Sequence, residues 1–161
     1  MLQIDTPLGS MQAIASERGV VVCDFSDRAN LPTELGAGDD SAAGALHLRQ
    51  LEDELRAYFA GKLRAFTVAI DPRVSDFQRR AWAYLRAIPF GETRSYAQQA
   101  AAIGSVARAV GRANGGNFVA IVIPCHRVIG STGSLTGYGG GIERKKWLLR
   151  HEEVPDDRLF R

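Results

Sequence analysis

The stretch Asn117-Phe118-Val119-Ala120-Ile121-Val122-Ile123-Pro124-Cys125-His126-Arg127-Val128 is the most informative segment of the chain. Its apolar, largely β-branched run reads as a strand that Pro124 terminates, because proline cannot donate into a ladder. Cys, His and Arg follow in succession, and then the apolar Val128. A free cysteine usually packs as a small, inert hydrophobe. Here His126 and Arg127 place positive or proton-accepting groups beside the thiol, a setting that favours the nucleophilic thiolate. Consecutive side chains diverge, so a histidine next in sequence reaches the sulfur only through a local turn or a bridging water. At this point a reactive Cys125 and a structural one are both open.

Upstream, two short helices are expected on either side of a glycine. Tyr96 to Ile103 is rich in Ala and Gln, Gly104 turns the chain, and Ser105 is placed to cap a helix running to about Asn114. Two short helices joined in this way match a helix-turn-helix, although plain helical hairpins share the pattern. In the second helix Ala107, Ala109, Gly111 and Ala113 keep the surface low, while Arg108 and Arg112 stand out four residues apart. Such a helix suits close approach to another surface, whether a packed helix or a ligand. Before it, Phe77, Ala81, Trp82, Leu85 and Ile88 share one helical face, and Pro89-Phe90-Gly91 ends that helix.

Downstream, Gly130 to Gly141 is a glycine-rich loop containing Ser131, Tyr138 and Gly139. It fits neither of the glycine-rich phosphate-binding patterns. It is suited to closing backbone N–H groups and the Tyr138 ring over a flat ligand, or else is a flexible surface loop. A helix is expected from Ile142, with Trp147, Leu148 and His151 near its apolar side, carrying Lys145 and Glu152.

The first part of the chain reads differently. Met11–Ser16 and Gly19–Phe25 are expected strands about a turn at Glu17-Arg18-Gly19, Asp27–Ser41 a loop, Ala42–Ala60 a helix stopped by Gly61, and Phe66–Ile70 a further strand ended by Asp71-Pro72. The organisation is therefore α+β: a small N-terminal α/β domain over 1–72 and a mainly helical domain over 73–161 that contains the helix-turn-helix. Charge divides along the same line. Residues 1–72 hold 6 Lys/Arg against 11 Asp/Glu, and residues 73–161 hold 14 against 7. A basic second half favours a polyanionic partner, or is simply a solvated basic surface.

Hydrophobic residues make up 45% and charged residues 24% of 161, the composition of a globular protein. No apolar run reaches the roughly 18 residues of a membrane span, and the start lacks the pattern of a signal peptide. Two cysteines, Cys23 and Cys125, allow neither a disulfide framework nor a four-thiol zinc site. The expected compartment is the reducing cytoplasm.

The Pro124-Cys125-His126-Arg127-Val128 core, with Asn117 before it and Thr136-Gly137-Tyr138 and Trp147-Leu148-Leu149 after it, closely resembles the O6-alkylguanine-DNA alkyltransferases, or methylated-DNA–protein-cysteine methyltransferases. Asp76-Phe77-Gln78, Trp82, Ile88-Pro89-Phe90-Gly91-Glu92-Thr93 and Tyr58-Phe59-Ala60-Gly61 extend the likeness. The resemblance implies a ribonuclease H-like N-terminal domain and a suicide reaction: Cys125 displaces the alkyl group from O6 of a flipped-out guanine in duplex DNA, once per molecule. It casts His126 as the base working through a water, Glu152 as the carboxylate that orients it, Asn117 as the shaper of the active-site turns, and Tyr96 as the donor toward the leaving guanine. Arg108 becomes the finger that fills the gap in the stack, with Ser105, Ala107, Ala109, Gly111 and Ser131 as further DNA contacts. Val128, Tyr138, Gly139 and Lys145 form the base pocket. No cofactor and no metal are implied; the partner is double-stranded DNA containing alkylated guanine, with O4-alkylthymine a further candidate substrate, and the protein acts as a monomer.

The chain departs from the family pattern in two places. Many relatives carry proline directly after the active-site asparagine, where this chain has Phe118, and some carry a basic residue where Gly115 stands. Some relatives bind zinc through Cys and His in the first domain; Cys23 and His47 alone are too few for that. Three other readings compete with this one. A non-enzymatic alkylated-DNA-binding relative would lack the cysteine, a methylation-sensing regulator would need a further cysteine-rich domain, and a Cys-His hydrolase would need an oxyanion hole that nothing in the sequence suggests.

Overall fold

The computed structural model describes residues 1–29, 31–32 and 41–155. The chain divides into two compact units, Met1–Arg73 with Phe118–Ala120, and Val74–Asn117 with the chain from Ile121 onward.

In the first unit, β1 (Leu2–Thr6), β2 (Gly9–Ser16) and β3 (Gly19–Phe25) form an antiparallel sheet in that order. β1 was not among the expected strands. Along β2 buried and half-exposed residues alternate until the register shifts between Ile14 and Ala15. β3 is buried at all seven positions. Helix α1 (Ala42–Phe59) is capped by Ser41, whose side chain accepts from Gly44 N–H, and packs against the three strands. It buries Leu51, Leu55 and Tyr58, each removing about 1.5–3 kcal/mol worth of apolar surface from water.

The strand expected over Phe66–Ile70 is not formed. Thr67 N–H, Val68 N–H and the Thr67 hydroxyl all donate to the Glu54 carboxylate of α1, so those groups have no ladder to join. One parallel bridge, Val20 to Ile70, remains. Residues 30 and 33–40 of the loop expected over Asp27–Ser41 lie outside the described residues.

The second unit holds α2 (Asp76–Arg86), β4 (Arg94–Ser95), α3 (Tyr96–Ile103), α4 (Ala107–Gly115), a 3-10 turn (Cys125–Arg127), β5 (Val128–Ile129) and α5 (Ile142–His151). β4 and β5 pair in parallel. Helix α2 stops at Arg86, two residues before the expected Ile88, and both α2 and α3 open on a capping box, Ser75 with Gln78 and Ser95 with Gln98. The helix-turn-helix is α3, Gly104 and α4. Gly104 sits at φ 67°, the left-handed conformation that glycine adopts without strain. Ser105 N–H then reaches back to Ala100 O at 2.9 Å, completing a Schellman turn. Ser105 therefore serves the end of α3 and does not cap α4, whose N-cap is Val106 without a side-chain bond. The helices are cross-tied by Gln99 and Asn114, which exchange amide hydrogen bonds of 3.0 and 2.8 Å, and by the Trp82 indole donating to Ala113 O at 3.0 Å.

Candidate active site

The apolar run before Cys125 is not a continuous strand. Val119 and Ala120 are bridged residues, and the chain then turns at Ile121 and Val122. Ile121 has φ 71°, costly for a β-branched residue and tolerated only where surrounding structure imposes it. Pro124, at φ −83° and ψ 65°, is the centre of an inverse γ-turn that Cys125 N–H closes on Ile123 O at 2.8 Å. The following 3-10 turn fans out three consecutive side chains, about a third of a turn apart. Sequence neighbours thereby acquire different partners.

Cys125 meets Asn117. The Asn117 amide donates to Cys125 Sγ at 3.2 Å and to Ile123 O at 2.8 Å, so one side chain ties the γ-turn to the sulfur. His126 and Arg127 both meet Glu152, at the C-terminal end of α5. His126 Nε2 lies 2.8 Å from Glu152 Oε1, and Arg127 Nε and Nη2 donate to the two carboxylate oxygens at 2.8 and 2.9 Å. Arg127 Nη1 donates to Ile88 O at 2.7 Å. The Arg127 guanidinium, expected to place charge beside the thiol, has its hydrogen bonds directed to the Glu152 carboxylate and Ile88 O. His126 is 0% exposed and Cys125 9%, so both lie within the buried part of the turn.

Although burial alone would raise it, contact with His126 and Arg127 holds the Glu152 carboxyl well below the usual carboxylate range. Burial pushes His126 below its ordinary value despite Glu152. Glu152 is then ionised and His126 neutral at pH 7. An ionised carboxylate can only accept, so the network assigns the imidazole proton to Nε2 and leaves Nδ1 as the acceptor. Nδ1 is buried without a hydrogen-bond partner among the described residues.

Lys145, 0% exposed, donates to Val128 O at 2.6 Å and Thr136 O at 3.2 Å, fastening the glycine-rich loop to β5. Burial pushes its ammonium down to about 8, opposed by the charge of Cys125. The Tyr96 hydroxyl donates to Thr136 O at 3.1 Å; burial, and then the charge of Cys125, push it up to about 12, so it stays a donor at neutral pH.

Asn117 is thus bonded to Cys125, and His126 and Arg127 to Glu152, as two separate sets joined through the 3-10 turn, while Lys145, Val128 and Tyr96 meet around Thr136. Tyr138 is half-buried and Gly139 exposed on the same loop. Arg108 and Ala107 are exposed on α4, with Ala109, Gly111 and Ser105 partly so, and Ser131 is exposed. No hydrogen bond joins Arg108 or Ser131 to the Cys125 network among the described residues. Arg127 is the side chain of this cluster whose partner the sequence did not show; that partner, Glu152, lies 25 residues away. Among the described residues no group of three or more His, Cys, Asp and Glu is placed to hold a metal, and no helix is long and apolar enough to cross a membrane.

Residues 76–154 match the sequence model for the DNA binding domain of 6-O-methylguanine DNA methyltransferase, and residues 3–72 match that for its ribonuclease-like domain. A methylated-DNA–protein-cysteine methyltransferase of Mycolicibacterium paratuberculosis is 46% identical over 151 residues, covering 92% of this chain and 89% of that protein. One from Methanosarcina barkeri is 41% identical over 155 residues, covering 93% and 94%. The crystal structure of Mycobacterium tuberculosis OGT in complex with DNA superposes with a TM-score of 0.80 at 43% identity, covering 99% of this chain and 98% of that one.

Proposed function

Because the chain belongs to the 6-O-methylguanine DNA methyltransferase family, we propose that it repairs DNA by moving the alkyl group of an O6-alkylguanine onto Cys125, once per molecule, in the cytoplasm. The observation that carries this reading is the division of labour around the turn. Asn117 donates to the Cys125 sulfur, while His126 is fixed on Glu152 with Nδ1 unpartnered among the described residues.

The step balances as a displacement. The thiol proton passes through a water to His126 Nδ1, and the thiolate attacks the alkyl carbon. The S–C bond forms as the C–O6 bond breaks, and the electron pair leaves with guanine. Tyr96, kept protonated, turns its hydroxyl from Thr136 O to donate toward the departing base. Glu152 stabilises the imidazolium as it forms, and Arg127 holds Glu152 in place. The product is a thioether, which no group in the site can cleave, so each molecule acts once.

A base inside a duplex presents no open line to a displacing sulfur, and extruding it costs a few kcal/mol. Arg108 replaces part of the lost stacking, and the low surface of Ala107, Ala109 and Gly111 lets α4 approach the minor groove, with Ser105 and Ser131 contacting the backbone. Val128, Tyr138, Gly139 and Lys145 receive the extruded base. Phosphate contacts and deformability, not base-edge readout, suit a lesion that occurs in any sequence.

The test is Cys125→Ser. Transfer from duplex DNA containing O6-methylguanine is lost, while binding to the same duplex by fluorescence anisotropy is retained. Transfer that survives the substitution contradicts the assignment, as does loss of binding together with loss of the fold.

A further inference from the structure

Within the first unit, Phe118–Ala120 runs along the outer edge of β3. Cys23 N–H donates to Phe118 O at 2.8 Å and Ala120 N–H to Cys23 O at 2.7 Å, with a single parallel bridge between Cys23 and Val119. These bonds fix the backbone on the strand edge, and the Phe118 ring has its own restraint. The Arg28 guanidinium carbon lies 4.3 Å from the ring centroid, well inside cation–π range. Arg28 is itself anchored by a buried ion pair to Asp24, the side chains being 9% and 1% exposed. The other Asp24 oxygen accepts from Phe25 N–H at 2.8 Å, and Arg28 N–H donates to Phe25 O at 3.0 Å.

The chemistry described above uses none of these groups. The peptide bond that enters Phe118 leaves Asn117, however, and Asn117 is the residue whose amide faces the Cys125 sulfur. A proline at 118 would restrict the torsions of Asn117 by its own ring. Phenylalanine imposes no such restriction, so the restraint has to come from what holds the phenylalanine.

We propose that Arg28 is a positioning residue for alkyl transfer: stacked on the Phe118 ring and anchored by Asp24, it fixes the Asn117–Phe118 peptide and thereby the amide that donates to Cys125. The inference rests on Cys125 being the alkyl acceptor. Asp24 sets the direction of the guanidinium, and the restraint travels along one covalent bond.

The experiment is single-turnover transfer from an O6-methylguanine duplex over a range of protein concentrations, which separates the maximal transfer rate from DNA affinity. Arg28→Met is combined with Asp24→Asn so that no buried charge is orphaned; Phe118→Leu, which keeps the ion pair and removes the ring, is the second variant. Both lower the maximal rate about fivefold, the scale of one cation–π contact, and leave affinity unchanged. Adding Phe118→Pro to the Arg28→Met/Asp24→Asn protein restores the maximal rate, which a merely stabilising ion pair would not allow. An unchanged maximal rate in the folded Phe118→Leu protein overturns the proposal, and so does a folded triple variant that is not restored. Wild-type transfer to Cys125 in the same series tests the acceptor reading separately.

Discussion

Glu152 and Arg108 stand in the same unit and receive opposite treatment. Glu152 is 1% exposed, with both carboxylate oxygens engaged by His126 and Arg127. Arg108 is exposed on α4 and makes no hydrogen bond or ion pair among the described residues. A group that must hold one protonation state and one orientation is surrounded by protein partners and kept from water. In the proposed function Arg108 enters DNA, and its exposed donors are open to that role. The contrast separates the reaction from its delivery, and each can be damaged alone.

Glu152→Gln strikes the buried side hardest. It removes the charge opposite the buried Arg127, and breaking a buried pair on one side costs about 3–5 kcal/mol. Urea unfolding should show that loss. Transfer to Cys125 should fall for duplex DNA and for a free O6-alkylguanine base alike, because the imidazole loses its anchor in both. The pH dependence follows the same network. His126 and Glu152 both bind protons less readily folded than unfolded, from ordinary values of 6.5 and 4.5. The unfolded chain therefore takes up more protons, and stability falls as pH drops below about 6.5 and falls further below about 4.5. Glu152→Gln flattens the lower part of that fall; an unchanged acid limb would count against the ionised carboxylate.

Arg108→Ala breaks the other side with a smaller effect. Transfer from duplex DNA should slow about 10- to 100-fold, on the scale of one to a few kcal/mol of unstacking. Reaction with the free alkylated base and the unfolding midpoint should be unchanged. Equal slowing with duplex and free base would erase the distinction between reaction and delivery.

Features set by local rules were readable in the sequence. The apolar face of α1, the glycine between α3 and α4 and the Pro124–Val128 core all follow from spacing and residue type. Two capping boxes are equally local, since Ser75 and Ser95 each precede a glutamine by three residues. The spacing of Leu2 and Ile4 in β1 is a local signal of the same kind. What the sequence hid depends on distant partners. Phe66–Ile70 has strand composition, but Glu54, in α1, takes the donors of Thr67 and Val68. Ser105 has the chemistry of a cap, but the left-handed Gly104 commits its N–H to α3. Ile121 turns where its residue type favours extension, and Arg127 finds its partner on the far side of the glycine-rich loop. In the site, the family resemblance implied the pairing of His126 with Glu152 and the tie of Asn117 to the turn before Cys125, and both are present; the engagement of Arg127 with Glu152 was not legible.

The central claim is that Cys125 accepts one alkyl group and is then spent. Intact-protein and peptide mass spectrometry after mixing with excess duplex containing O6-methylguanine measures it directly. The predicted result is a gain of a single methyl group, on the peptide containing Cys125, with transferred alkyl never exceeding the protein present. Methylation at another residue, or more methyl groups removed from DNA than there are protein molecules, would contradict it.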